Sequence, residues 1–162
     1  MRKTWKFGAR FLLVLCFVSL LSVLGYWVGI RVNVTASLPQ ILWIIHEINE
    51  NDVIKRGEYV TVLRQTINTE KFDEKARSVY FGGRIPMLKQ VFALPGDTVE
   101  EDVDVIILST DKNGSSLPVY TLPAKLGNDE YWLISDKKTG FDSRYFGPVK
   151  REAIIAKAVP IF

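Results

Sequence analysis

The chain has 162 residues, with 21 Lys and Arg against 18 Asp and Glu, one His and one Cys; without repeats or low-complexity tracts, that length suits one modest domain plus an appendage and excludes an array or a disordered scaffold. The basic surplus is local: the first 31 residues hold five of the basic groups and none of the acidic ones, so the rest carries about −2 and lacks the electrostatic footprint of a nucleic-acid binder. Cys16 lies in an apolar run, which leaves the remainder without a disulfide, and His46 has no HxxH, HExxH or cysteine partner, so neither a metal centre, a cofactor site nor a Ser-His-Asp triad is expected.

In chain order, residues 1–10 form a basic N-terminus carrying Arg2, Lys3, Lys6 and Arg10. Residues 11–30, FLLVLCFVSLLSVLGYWVGI, contain no charge and match a hydrocarbon core of about 30 Å as a helix. Basic groups cluster before this span, and only Arg31 follows it before Glu47, so the positive-inside rule predicts a cytoplasmic N-terminus. Residues 31–162 are then an extracytoplasmic domain on the outer side of that membrane. The competing reading is a cleaved leader, since Val34-Thr35-Ala36 offers small residues at suitable positions, but the apolar run exceeds the usual leader core of about 7–15 residues.

Beyond the span the text reads as β-structure. Runs at 57–64, 84–94, 103–109, 130–135 and 152–162 are rich in β-branched and aromatic residues, and turn signals such as Pro95-Gly96-Asp97, Asn113-Gly114 and Gly147-Pro148 punctuate them. A mostly β domain follows. Residues 68–80 show mixed charges and no clean apolar stripe, which predicts a solvated, helical or loop-like connection.

Three segments carry the chemistry. NVTASLPQILW, residues 33–43, sets Ser37 between Thr35 and Pro39 just past the span; taken alone, such a serine is a turn or cap residue. In the second segment, alternation puts Ile85, Met87, Lys89, Val91 and Ala93 on one strand face, so Lys89 is the single charge in an apolar row. Periodicity alone suits a lysine that snorkels to water from a sheet edge. A desolvated one would instead have a depressed pKa and an amine free to take a proton near neutrality. The third segment is DSRYFGPV, residues 142–149, where the plain reading of Asp142 and Arg144 is a structural ion pair and turn that brings the last strand beside the strand of Lys89.

Together, Ser37-Leu38-Pro39, Lys89 through Pro95-Gly96-Asp97, and Asp142-Ser143-Arg144-Tyr145-Phe146-Gly147 resemble the membrane-anchored Ser/Lys signal peptidases, in order and spacing, across nearly all of the chain. The Asn33, Thr35, Ser37, Pro39 pattern and the small size look most like the TraF-type peptidases of conjugative plasmid transfer. The resemblance implies a signal-peptidase-like β-sheet domain and a serine endopeptidase that removes leader peptides from exported proteins. Its partners would be an exported precursor, a conjugative pilin above all, the lipid bilayer and conjugative transfer or secretion machinery. It assigns Ser37 as nucleophile, Lys89 as general base, and the Ser37 amide with the Thr35 hydroxyl as oxyanion donors; Asn33, Pro39, Asp142 and Arg144 support the site. Pro39 restricts its own φ and biases Leu38 towards extended backbone.

This chain departs from the family pattern at several positions. Ile41 stands where a glycine is common, and Ser135-Asp136-Lys137 stands in place of a GDN-type turn. Gly140, beside Thr139, occupies the position of the serine that supports the lysine in related enzymes, which leaves open which hydroxyl orients Lys89. Two other functions are carried as alternatives: a general type I signal peptidase, and a non-catalytic membrane-anchored assembly protein of a pilus or secretion system.

Overall fold

The computed structural model describes residues 2–33, 38–100 and 106–161. Helix α1 (Arg2–Trp27) stops three residues short of the predicted end of the apolar span. The cause is Gly29. Its φ of +84° is unfavourable for any residue with a Cβ, and a Cβ there would lie 2.5 Å from the Ile45 carbonyl oxygen. The chain therefore turns at Val28 and Gly29 and enters strand β1 (Ile30–Val32) at once. The stretch Arg10–Trp27 is long and apolar enough to cross a membrane, and none of it is buried against the rest of the protein.

Among the described residues, seven strands make one antiparallel sheet. They are β1, β2 (Leu42–Glu47), β3 (Tyr59–Val62), β4 (Met87–Ala93), β7 (Glu130–Ile134), β8 (Val149–Lys150) and β9 (Ile154–Pro160), in spatial order β1-β2-β9-β3-β4-β7-β8. Strands β5 (Thr98–Val99) and β6 (Ala124–Lys125) form a separate two-stranded ribbon. The domain is mostly β, as the composition predicts.

The sheet's main core contains Val60, Val62, Met87, Val91, Leu133 and Ile154. Directly paired residues share a face, so the register Val60↔Lys89 and Val62↔Met87 puts Lys89 in this same layer. Aromatic rings cover the layer: Phe141 stacks on Tyr80 with centroids 4.1 Å apart and on Tyr145 at 5.6 Å, and meets Phe72 and Phe81 edge-on. A smaller cluster on the opposite face joins Leu38, Trp43 and Ala158.

Several local expectations are corrected. Residues 68–80 are the helical and loop-like, mostly exposed connection expected, but not an entirely solvated one: Phe72 and Ala76 reach the core from it, and Phe81 follows them at the end of the π-helical stretch Arg77–Phe81 that continues the short helix α2 (Glu74–Ala76), which is N-capped by Asp73. A short helix that passes from α to π spacing displays no regular apolar stripe, and this is why the periodicity shows nothing there. In the run 103–109, the described residues Ile106, Ile107 and Leu108 are exposed and lie outside any strand, the one nearby ladder element being the bridge Thr110↔Ser116. Strand β2 was not expected. Its Trp43 is fully buried and donates its indole N–H to the Gln40 carbonyl at 3.0 Å.

Candidate active site

Strand β4 has neighbours on both sides, β3 and β7, so Lys89 does not lie at a sheet edge. Its side chain is 4% exposed. The snorkelling alternative is thereby overturned. The predicted apolar row holds for Met87, Val91 and Ala93, but Ile85 precedes the strand and is 75% exposed, because Pro86 and the end of β3 at Val62 release the chain from the sheet there.

Burial pushes the Lys89 ammonium down to about 8 from its usual 10.5; the nearby Asp142 carboxylate opposes that shift, and the guanidinium groups of Arg64 and Arg144 add to it. The Lys89 Nζ donates to the Ser135 Oγ at 2.7 Å. Register explains the contact. Gln90 pairs with Ile134, so one step along the antiparallel ladder sets Lys89 across from Ser135, on the same face. Local periodicity carries no trace of it, because the partners lie 46 residues apart.

Asp142 is fully buried and Arg144 is 9% exposed, and they form an ion pair. The Asp142 carboxylate accepts from the Arg144 Nε at 2.6 Å and from the Ser135 backbone N–H at 2.8 Å, while Arg144 also donates to the carbonyls of Lys138 and Gly140. The pair therefore clamps the end of β7, where Ser135 sits, and starts the short helix α3 (Ser143–Phe146) with Asp142 as its N-cap. It does not bring the last strand beside the lysine strand: β9 pairs with β2 and β3, and β3 stands between it and β4. We expect Asp142→Ala to cost about 3–5 kcal/mol of stability, because it leaves a buried guanidinium without its carboxylate. A urea midpoint close to wild type would show that the pair contributes little.

A cleft of about 970 Å³ opens beside Lys89. Met87, Leu88 and Lys89 line it at β4, Arg84, Ile85 and Pro86 at the approach to that strand, and Tyr80 and Phe141 from the aromatic cover; Val32, Asn33, Trp43 and Ile45 line the far side. Arg64 spans part of this wall, with its Nε on the Ile85 carbonyl at 2.7 Å and its Nη1 on the Tyr80 carbonyl at 2.6 Å. Its guanidinium is held below its ordinary range by burial. The cleft thus runs from the buried amine to Asn33, and its lining is mainly apolar.

Asn33 and Pro39 belong to the connection between β1 and β2. The Asn33 backbone N–H donates to the Ile41 carbonyl at 2.7 Å and its side-chain amide to the Gln40 carbonyl at 3.4 Å, which ties the two ends of this loop together. Pro39 is exposed at the bend, beside the buried Leu38. Thr35 and Ser37, the expected oxyanion donor and nucleophile, lie outside the described residues. The groups gathered at the site are thus Lys89, Ser135, Asp142 and Arg144, with Asn33 at the far end of the cleft. Ser135 was missed as a partner of Lys89; the only sequence signal for it is its place at the end of the strand that pairs with β4. Among the described residues no cluster of His, Cys, Asp and Glu is able to hold a metal ion.

The signal peptidase family S26 matches residues 4–162. The chain is 33% identical over 160 residues to a plasmid transfer protein TraF of Escherichia coli, covering 88% of each chain. It is also 30% identical over 166 residues to a conjugal transfer protein TraF of Agrobacterium tumefaciens (strain 15955), covering 90% of this chain and 89% of that protein. A match over almost the whole length, on a mostly antiparallel sheet preceded by one apolar helix, means that the chain belongs to the S26 signal peptidase family, alongside its TraF-type members.

Proposed function

We propose that the protein is a membrane-bound serine endopeptidase that uses Ser37 and Lys89 as a dyad and matures an exported precursor, a conjugative pilin above all. The observation that carries this reading is Lys89: an almost wholly buried amine, depressed towards neutrality and set in the wall of a cleft that reaches the loop bearing Ser37. Burying a lysine without a carboxylate partner destabilises a fold, so its presence calls for a use.

In this mechanism the neutral Lys89 amine removes the Ser37 proton as the Ser37 Oγ attacks the scissile carbonyl. The Ser37 backbone N–H and the Thr35 hydroxyl stabilise the oxyanion. Lys89 then gives the proton to the leaving amine, and an acyl-enzyme remains on Ser37. Water, or the pilin's own amino terminus where the pilin itself is the acyl part, then attacks that ester; Lys89 takes a proton from the attacking group and returns it to the departing Ser37 Oγ, which regenerates the serine. Asn33 and Pro39 set the loop that carries the nucleophile, and Asp142 with Arg144 fixes the strand beside Lys89. The apolar helix anchors the domain in the cytoplasmic membrane with its N-terminus in the cytoplasm, as the basic groups before the span favour.

Mass spectrometry of pilin from cells with and without this protein tests the reading. We expect a shortened pilin only where the protein is present, and a further loss of one water if the precursor's amino terminus resolves the acyl-enzyme. Identical pilin masses in both strains would overturn the assignment.

A further inference from the structure

The resemblance described above implies a lysine-supporting serine two residues before the aspartate of the DSR motif, where this chain has Gly140, and a glycine in the turn after the strand, where this chain has Ser135. In space the two departures are one. A Cβ built on Gly140 would lie 2.3 Å from the Ser135 Cβ and 2.6 Å from its Oγ, far inside any contact distance. Positions 135 and 140 therefore share one side-chain vacancy, and only one of them is able to fill it. Here Ser135 fills it, 6% exposed, with its hydroxyl on the Lys89 Nζ at 2.7 Å.

We propose that Ser135 is the positioning residue for Lys89, having exchanged places with Gly140, so that the two positions form a coupled pair in which serine at one requires glycine at the other.

The surrounding bonds hold Ser135 in that place. Its backbone N–H donates to the Asp142 carboxylate at 2.8 Å, and Arg144 grips both that carboxylate and the Gly140 carbonyl, so both members of the pair are fixed by the same ion pair. By accepting one N–H of the Lys89 amine, the hydroxyl restricts rotation about the terminal bond, and the amine's remaining valences are directed into the cleft. Asp142 and Arg144 then position the lysine through Ser135, while their charges also act on it through space.

This inference rests on the peptidase reading for its reaction but has a readout that does not need it. The full-length protein in detergent is prepared as wild type, Ser135→Ala, Gly140→Ser and the double exchange Ser135→Gly with Gly140→Ser. Two quantities are measured against pH: cleavage of a pilin-derived peptide, and the rate at which acetic anhydride acylates Lys89, followed by mass spectrometry. For Ser135→Ala we expect kcat to fall by about 10²-fold with little change in KM, the cost of a misdirected base. The pH at which Lys89 titrates should also move downward, because an acceptor that favours the ammonium form has been lost.

Gly140→Ser alone should lose activity through the clash, whether or not it folds. The double exchange should recover kcat to within about tenfold of wild type, since a serine side chain at 140 then enters the vacated space, its neighbour Lys137 O at 3.0 Å yielding slightly. Wild-type titration and activity in Ser135→Ala, or a double exchange no better than Gly140→Ser in either readout, would overturn the proposal. If the wild type cleaves no pilin peptide, the peptidase reading fails, and the acylation profiles still decide whether Ser135 orients Lys89.

Discussion

Ser37→Ala and Lys89→Ala are each expected to abolish precursor cleavage, and the double variant to be no worse than either single one. A nucleophile and the base that activates it act as a unit, so removing the second member of a broken pair costs little more, and single losses of about 10⁴ to 10⁶ in kcat are usual for such groups. Lys89→Ala also creates a void beside Met87 and Val91, so its folding must be checked separately by the fluorescence of the buried Trp43 and Trp132. Ser37→Ala serves as the cleaner control. Cleavage within tenfold of wild type by either folded variant would remove that residue from the dyad.

The second large effect concerns pH. With its folded pKa lowered to about 8, Lys89 should give cleavage an acid limb, with activity rising as pH passes upward through that value. The same shift acts on stability. Between the folded value of about 8 and the unfolded 10.5, the unfolded chain binds more protons than the folded one, so stability rises with pH across that window. Below about 8 the penalty is complete and level, amounting to about 3 kcal/mol for a difference of this size.

Lys89→Met keeps the length of the side chain and removes the charge. It should be inactive at every pH, and it should also lose that rise in stability between pH 7.5 and 10.5. Part of its gain at neutral pH is offset because the Ser135 hydroxyl is left without its partner, at about 1–3 kcal/mol. Urea unfolding of both proteins at the two pH values reads the difference directly. A wild-type protein whose stability does not rise relative to Lys89→Met across the window would make Lys89 a solvated or salt-bridged ammonium and remove the physical support for its role as a base.

How far this was legible in the sequence varies with the range of the interaction. The alternation Met87, Lys89, Val91 is a property of one strand, and it placed the lysine in an apolar row before any contact was known. Whether that row faced water or a core depended on β4 having β3 and β7 on its two sides, which is a matter of sheet order and has no local signature. The same limit hid Ser135, which meets Lys89 only through the β4–β7 register. Phe72 and Phe81 were hidden for a different reason: they enter the core from a single turn and its neighbours, where charged residues on either side mask two rings. Asp142 and Arg144 were correctly paired from their spacing, but what they clamp is the end of β7 rather than β9, since a motif shows which groups meet and not which element they hold.

The abrupt turn at Gly29 has a kinetic consequence. Only Val28 and Gly29 separate α1 from the first strand of the sheet, three chain steps with a reach of about 10 Å at most. With α1 embedded as proposed, the cleft cannot drift away from the bilayer surface, and the enzyme and any precursor held in the same membrane search for one another in two dimensions. Their encounter is then governed by lateral diffusion and by surface density, not by bulk concentration. Weak contacts in the cleft suffice for a selective enzyme of this kind, since a substrate carried by the same membrane is already concentrated, while a soluble protein with the same cleavage sequence is seldom met.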